Sequence, residues 1–117
     1  MNVHLVSGTA RPVLECVSGL ERADDALELI VSCREHGTRR LLLPSQAFPP
    51  AFFDLRSGFA GEFVQKLVNY HLRVGAVFET EEGYSERFRE YLSEARRGQQ
   101  FRVFDTRTEA IGWLTSA

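Results

Sequence analysis

Asp54-Leu55-Arg56-Ser57 places a carboxylate, a guanidinium and a hydroxyl close together, just ahead of Gly58 and a stretch of helical periodicity. A hydroxyl at the positive end of a helix can accept a phosphoryl group, bringing about −1.5 to −2 charges where the dipole stabilises them. A guanidinium whose stem lies along apolar surface offers five donors to a carboxylate or a phosphate. The plainer alternative needs no ligand. In it, Asp54 or Ser57 accepts a bond from an orphan backbone N–H, a cap worth about 1 kcal/mol. Arg56 pairs with Asp54 or Glu62, and Gly58 allows close packing. The residues alone leave both readings open.

The surroundings of this group are aromatic. Phe48, Phe52, Phe53 and Phe59 crowd a segment that also holds Pro49 and Pro50 and otherwise reads as a loop. Loops usually run over the surface and are polar. Burying a Phe contributes about 1.5–3 kcal/mol, so several of them left in water is unfavourable. The segment therefore either folds back onto the core or forms a contact patch. In the helix that follows, Ala60, Phe63, Val64, Leu67 and Val68 make an apolar stripe, with Glu62, Gln65, Lys66 and Asn69 on the wet side. The candidate binding residues are Phe52, Phe53, Asp54, Arg56, Ser57 and Asn69, with Ser57 as candidate phosphoacceptor.

Other reactive side chains form no recognisable constellation. His4, His36 and His71 are scattered, and Cys16 and Cys33 have neither C-x-x-C nor zinc spacing. Ser, His and Asp are present without a G-x-S-x-G elbow, and Gly58-Phe59-Ala60-Gly61 lacks the lysine of a Walker loop. Glu79, Glu81 and Glu82 suit a solvated strand–helix junction. No metal site and no cofactor are expected, and the expected role is non-enzymatic.

The elements that must carry these residues follow from periodicity and turn signals. Val3–Val6 and Val13–Val17 read as an antiparallel hairpin. A helix over about Arg22–Glu35 carries Ala26, Leu29, Ile30 and Cys33 on one face, with Gly37 beyond its end. Leu41-Leu42-Leu43 reads as a buried central strand. A helix from about Ser57 to His71 follows the Phe-rich segment, then a strand over Arg73–Phe78 and a helix over Ser85–Arg96. Phe101–Phe104 is the last strand, and Asp105 or Thr106 caps a final helix bearing Ala110, Ile111, Trp113 and Leu114. The order is β-β-α-β-α-β-α-β-α. Strands alternating with helices imply an α/β fold with a mixed, mostly parallel sheet and helices packed on it.

Composition bounds the rest. The 117 residues suit one domain, residues 1–117, and 44% hydrophobic with 26% charged residues is a globular balance. A formal net charge of −2 draws the chain neither to nucleic acid nor to an anionic membrane, although all 14 basic residues but Lys66 are Arg. No apolar run approaches the ~20 residues of a membrane span. The first apolar stretch is interrupted by Arg11 and Glu15, so no signal peptide is expected. A cytoplasmic setting, with both cysteines reduced and buried, is the expectation.

The element order, the approach from Leu41-Leu42-Leu43 to Asp54–Gly58, and the ending Arg102-Val103-Phe104-Asp105 with Glu109–Leu114 resemble the STAS domain of anti-sigma-factor antagonists and its lipid-transfer-like relatives. The whole chain also resembles a bacterial family of about this length with no assigned function. Its hallmark is Phe53-Asp54-Leu55-Arg56-Ser57-Gly58 followed by a helix like Gly61–Tyr70. The STAS resemblance implies a regulatory module with a phosphoacceptor at Ser57. The expected partner is a protein, or a second copy in a homodimer, docked on the 48–70 loop–helix face. The lipid-transfer-like relatives imply the alternative, a small apolar ligand or lipid held between that loop and the sheet.

Overall fold

The computed structural model describes residues 1–116. Five strands, β1 (Asn2–Leu5), β2 (Leu14–Ser18), β3 (Arg40–Pro44), β4 (Arg73–Val77) and β5 (Phe101–Phe104), form one sheet in the order β1-β2-β3-β4-β5. β1 runs antiparallel to β2 and the others are parallel neighbours, so the α/β class with a mixed, mostly parallel sheet holds. Residues 6–13 join β1 to β2, longer than a tight hairpin turn, and Val6 N–H bonds Val13 O at 2.8 Å.

The helices are α1 (Asp25–Glu35), α2 (Pro50–Phe53), α3 (Phe59–Asn69), α4 (Glu86–Ala95) and α5 (Arg107–Leu114). They divide unequally between the two faces. On one face, Leu41, Leu43, Val74, Ala76, Phe101 and Val103 share a core with α1 (Leu29, Cys33), α3 (Phe63, Leu67) and α4 (Phe88, Leu92). On the other, α5 alone covers Leu42 and Val77 with Ala110 and Leu114. Alternation along β3 explains why all three of its leucines are apolar: Leu41 and Leu43 face one layer, Leu42 the other. α5 approaches β4 closely because Gly75 has no side chain; a Cβ there would lie 3.2 Å from Leu114 Cδ1.

Two helices start where the sequence places them, each on a capping hydroxyl. Ser85 Oγ accepts from Phe88 N–H at 3.1 Å to start α4, and Thr106 rather than Asp105 caps α5, accepting from Glu109 N–H at 3.2 Å. The helix expected over Arg22–Glu35 starts later, at Asp25. The Asp25 carboxylate accepts the N–H groups of Glu21 and Arg22, which fixes a turn there instead. The segment expected as a loop before α3 is largely helical turn: a 3-10 turn at Ser45–Ala47, then α2, then a second 3-10 turn at Leu55–Ser57. Pro50 at the first position of α2 supplies the start, because its missing N–H would have been unbonded there anyway.

Candidate functional site

The parallel strands end at one edge of the sheet, and the segment from Ser45 to Gly58 is folded over that edge. Phe52 anchors it with no exposed surface. Its ring stacks on Phe48 at 4.0 Å and meets Phe88 at 5.8 Å. Phe48 in turn stacks on Phe78, which follows β4. The aromatic segment is thus largely part of the core. Phe53 is the exception: half-buried, it stacks on Tyr84 at 5.2 Å and lies 5.1 Å from Phe88.

Asp54, Arg56 and Ser57 stand on this aromatic base and are exposed. Asp54 Oδ1 accepts from Arg56 N–H at 3.1 Å and opens the 3-10 turn. Ser57 Oγ donates to Ala51 O at 2.6 Å and accepts from Phe59 N–H at 3.1 Å, tying α2 to the first residue of α3. The capping role weighed from sequence is therefore present in full. Gly58 serves differently from expectation. Nothing lies within 4 Å of where its Cβ would be, so close packing is not its purpose; its φ of 79° is. Arg56 pairs with Asp54 at 3.7 Å with its side chain 85% exposed, a pairing worth little, while Glu62 pairs instead with Lys66 at 4.0 Å.

A cleft of about 490 Å³ lies beside this turn, between Phe53-Asp54-Leu55-Arg56 and Ser85 with Arg87 at the start of α4. Four of the six candidate binding residues, Phe53, Asp54, Arg56 and Ser57, thus form one surface. Phe52 lies beneath it in the core. Asn69 is at the far end of α3, where its Oδ1 accepts from Gln65 Nε2 at 2.7 Å. Arg87 went unnoticed in the sequence because nothing local marks a residue that reaches the site from another connection. Among the described residues no histidine or carboxylate bonds the Ser57 hydroxyl, so no group there activates it as a nucleophile.

A second charged group also escaped sequence reading. Glu15, in the middle of β2, is buried, and its carboxylate meets Arg107 of α5 and His4 Nε2, the latter at 3.0 Å. The Glu15 hydrogen bond raises the Arg107 guanidinium above its ordinary value. The only local signal was a charge inside Val13-Leu14-Glu15-Cys16-Val17. Among the described residues no group of three His, Cys, Asp or Glu side chains could hold a metal ion, and no helix is long and apolar enough to cross a membrane. The acidic run is split: Glu79 and Glu82 are exposed, while Glu81 pairs with Arg96 at 3.1 Å.

Residues 10–114 match the model of a family described as a domain of unknown function, DUF4180. No curated protein and no solved structure matches the chain.

Proposed function

We propose that this chain, which belongs to the DUF4180 family, is a non-enzymatic regulatory module that binds a protein partner, or a second copy of itself, through the surface at the start of α3. One observation carries the reading. An exposed carboxylate and hydroxyl are held by internal hydrogen bonds on a floor of packed rings beside a cleft, with the Arg56 guanidinium reaching into solvent next to them. Such preorganisation lowers the ordering cost of association. The strand order supports a surface over a crevice. Among the described residues it never reverses, so the carboxyl edge lacks the switch point at which open α/β sheets hold small ligands. The rings of Phe48, Phe52, Phe78 and Phe88 also fill the space between loop and sheet, which favours a protein over an apolar ligand there.

Ser57 is the switch in this reading, as its resemblance to STAS phosphoacceptors suggests. Phosphoryl transfer from a nucleoside triphosphate, catalysed by a kinase, would replace the hydroxyl proton and so remove the bond to Ala51 O. The added charge would lie beside Arg56 and the start of α3 and would repel an acidic partner. Light scattering and crosslinking of the wild type against Arg56→Glu and Ser57→Asp test the idea. Both variants are expected to retain the wild-type melting temperature within a few degrees and to lose the dimer or the captured partner. A wild type that stays monomeric and captures nothing from its host lysate defeats the reading.

A further inference from the structure

The opposite edge of the sheet, where the parallel strands begin, is lined with arginine. Arg39 precedes β3, Arg40 opens it, and Arg73 opens β4 directly across the pairing from Arg40. Arg34 comes from the last turn of α1, and Arg102 from β5. Arg34, Arg39, Arg40 and Arg73 line a cavity of about 550 Å³, and no lining residue is acidic. That volume is within the range of small-ligand sites, roughly 300–1,000 Å³. The remaining lining is half apolar, with Ile30, Leu72 and the exposed ring of Tyr70.

Elsewhere some of the charges find partners, although exposed arginines such as Arg11, Arg22 and Arg87 have none among the described residues. Arg96 pairs with Glu81 and with Asp105 at 2.8 Å, Lys66 with Asp24 at 3.6 Å, and Arg107 with Glu15. Among the described residues none of the five arginines of this edge has a carboxylate within reach. Two of them are fixed in position without being neutralised. Arg73 lies 3.8 Å over the Trp113 ring and donates to Trp113 O at 2.7 Å, and Arg102 donates to Gly98 O at 2.7 Å. Burial, and then Arg102 and Arg40 beside it, hold the Arg73 guanidinium below its ordinary value. Arg40 Nε is buried and has no partner at all, a costly state for a donor.

Helix ends do not account for the arginines. α1 and α3 both finish at this cavity, yet five of their closing carbonyls are already taken. Ser32 O, Arg34 O and Cys33 O accept from His36, Gly37 and Thr38, and Val68 O and Leu67 O accept from His71 and Leu72. Each helix end carries about −0.5 charge, so the two offset roughly one guanidinium of the four that line the cavity. The surplus is positive.

We propose that this edge binds a soluble, phosphate-bearing organic anion of nucleotide size. Its phosphates lie on Arg34, Arg39 and Arg40, and its organic part lies against Tyr70, Ile30 and Leu72. Guanidinium forks match phosphate oxygens, and a half-apolar wall matches a base or similar ring.

Isothermal titration of the full chain with ATP, inorganic tripolyphosphate and adenosine tests this. ATP is expected to bind about tenfold more tightly than tripolyphosphate, adenosine to give no heat, and affinity to fall steeply with salt. Arg34→Glu with Arg39→Glu, both exposed and so harmless to the fold, is expected to weaken ATP binding more than about tenfold. Arg56→Glu, at the other edge, leaves it unchanged. No heat with ATP at about 1 mM, or an undiminished affinity in the double variant, overturns the site. Adenosine binding as well as ATP removes the anion from the proposal, and equal affinity for ATP and tripolyphosphate removes its organic half.

Discussion

Ser57 and Arg40 lie at opposite edges of the same sheet, and their polar atoms fare differently. Ser57 Oγ both donates and accepts within the chain, and Asp54 beside it accepts a neighbouring N–H, all inside nine residues of sequence. Arg40 Nε is buried without a partner; Arg34 and Arg39 reach the same cavity from the adjoining end of α1 and its connection to β3, and Arg73 comes from the neighbouring strand β4. A turn can satisfy itself because its donors and acceptors are covalent neighbours. An edge assembled from several strands satisfies itself only if complementary charges arrive with them, and here arginine arrives repeatedly without acid. Internal satisfaction keeps the first edge rigid; the second carries the cost of a buried donor without a partner, beside the exposed guanidiniums that the proposed anion would meet.

The largest expected effect breaks or keeps the view that the aromatic segment is core. Phe52→Ala, at a site with no exposure, is expected to cost about 3–5 kcal/mol in urea unfolding. A cost near that of a surface change would return the ring to the docking patch. The next effect probes how dry the arginine edge is beneath its surface. Burial pushes the Cys33 thiol, which borders that cavity, from 9.0 to about 12. The unfolded chain releases this proton near pH 9.0 and the folded chain only near 12, so the thiol's contribution is whole below 9.0 and is lost as pH rises through that window. Urea midpoints taken from about pH 8 to 11 are expected to fall, and Cys33→Ala to flatten the slope.

Two smaller effects contrast the edges directly. Ser57→Ala is expected to cost about 1 kcal/mol, because Phe59 N–H and Ala51 O both lose a partner. Arg40→Met keeps the stem and removes an unpaired donor among like charges, and is expected to gain about 0.5–1 kcal/mol. Opposite signs in thermal melts sharpen the distinction; a cost at Arg40 erases it.

Strands and helices were legible because each is announced locally. Ala26, Leu29, Ile30 and Cys33 repeat at helical spacing, and all four are buried on α1. The helix start near Ser57 was legible for the same reason, although α3 begins at Phe59 and Ser57 closes a 3-10 turn ahead of it. The helical turns of the segment before it were not, since Pro50 starting a short helix depends on the rings of Phe48 and Phe52 packing down onto Phe78 and Phe88. Gly58 was assigned a packing role that its empty surroundings contradict, because sequence shows a missing side chain but not a positive φ.

By itself the sequence determined the α/β class, the order of the strands and of the four longer helices, and the nearness of Asp54, Arg56 and Ser57 to a helix start, because periodicity and capping act over a few residues. Tertiary structure alone decided that Phe52 lies inside, that Glu15 meets Arg107 across 92 positions, and that Arg34, Arg40 and Arg73 share one cavity. Those outcomes depend on which strands become neighbours, and pairing between distant segments leaves no mark on either segment alone.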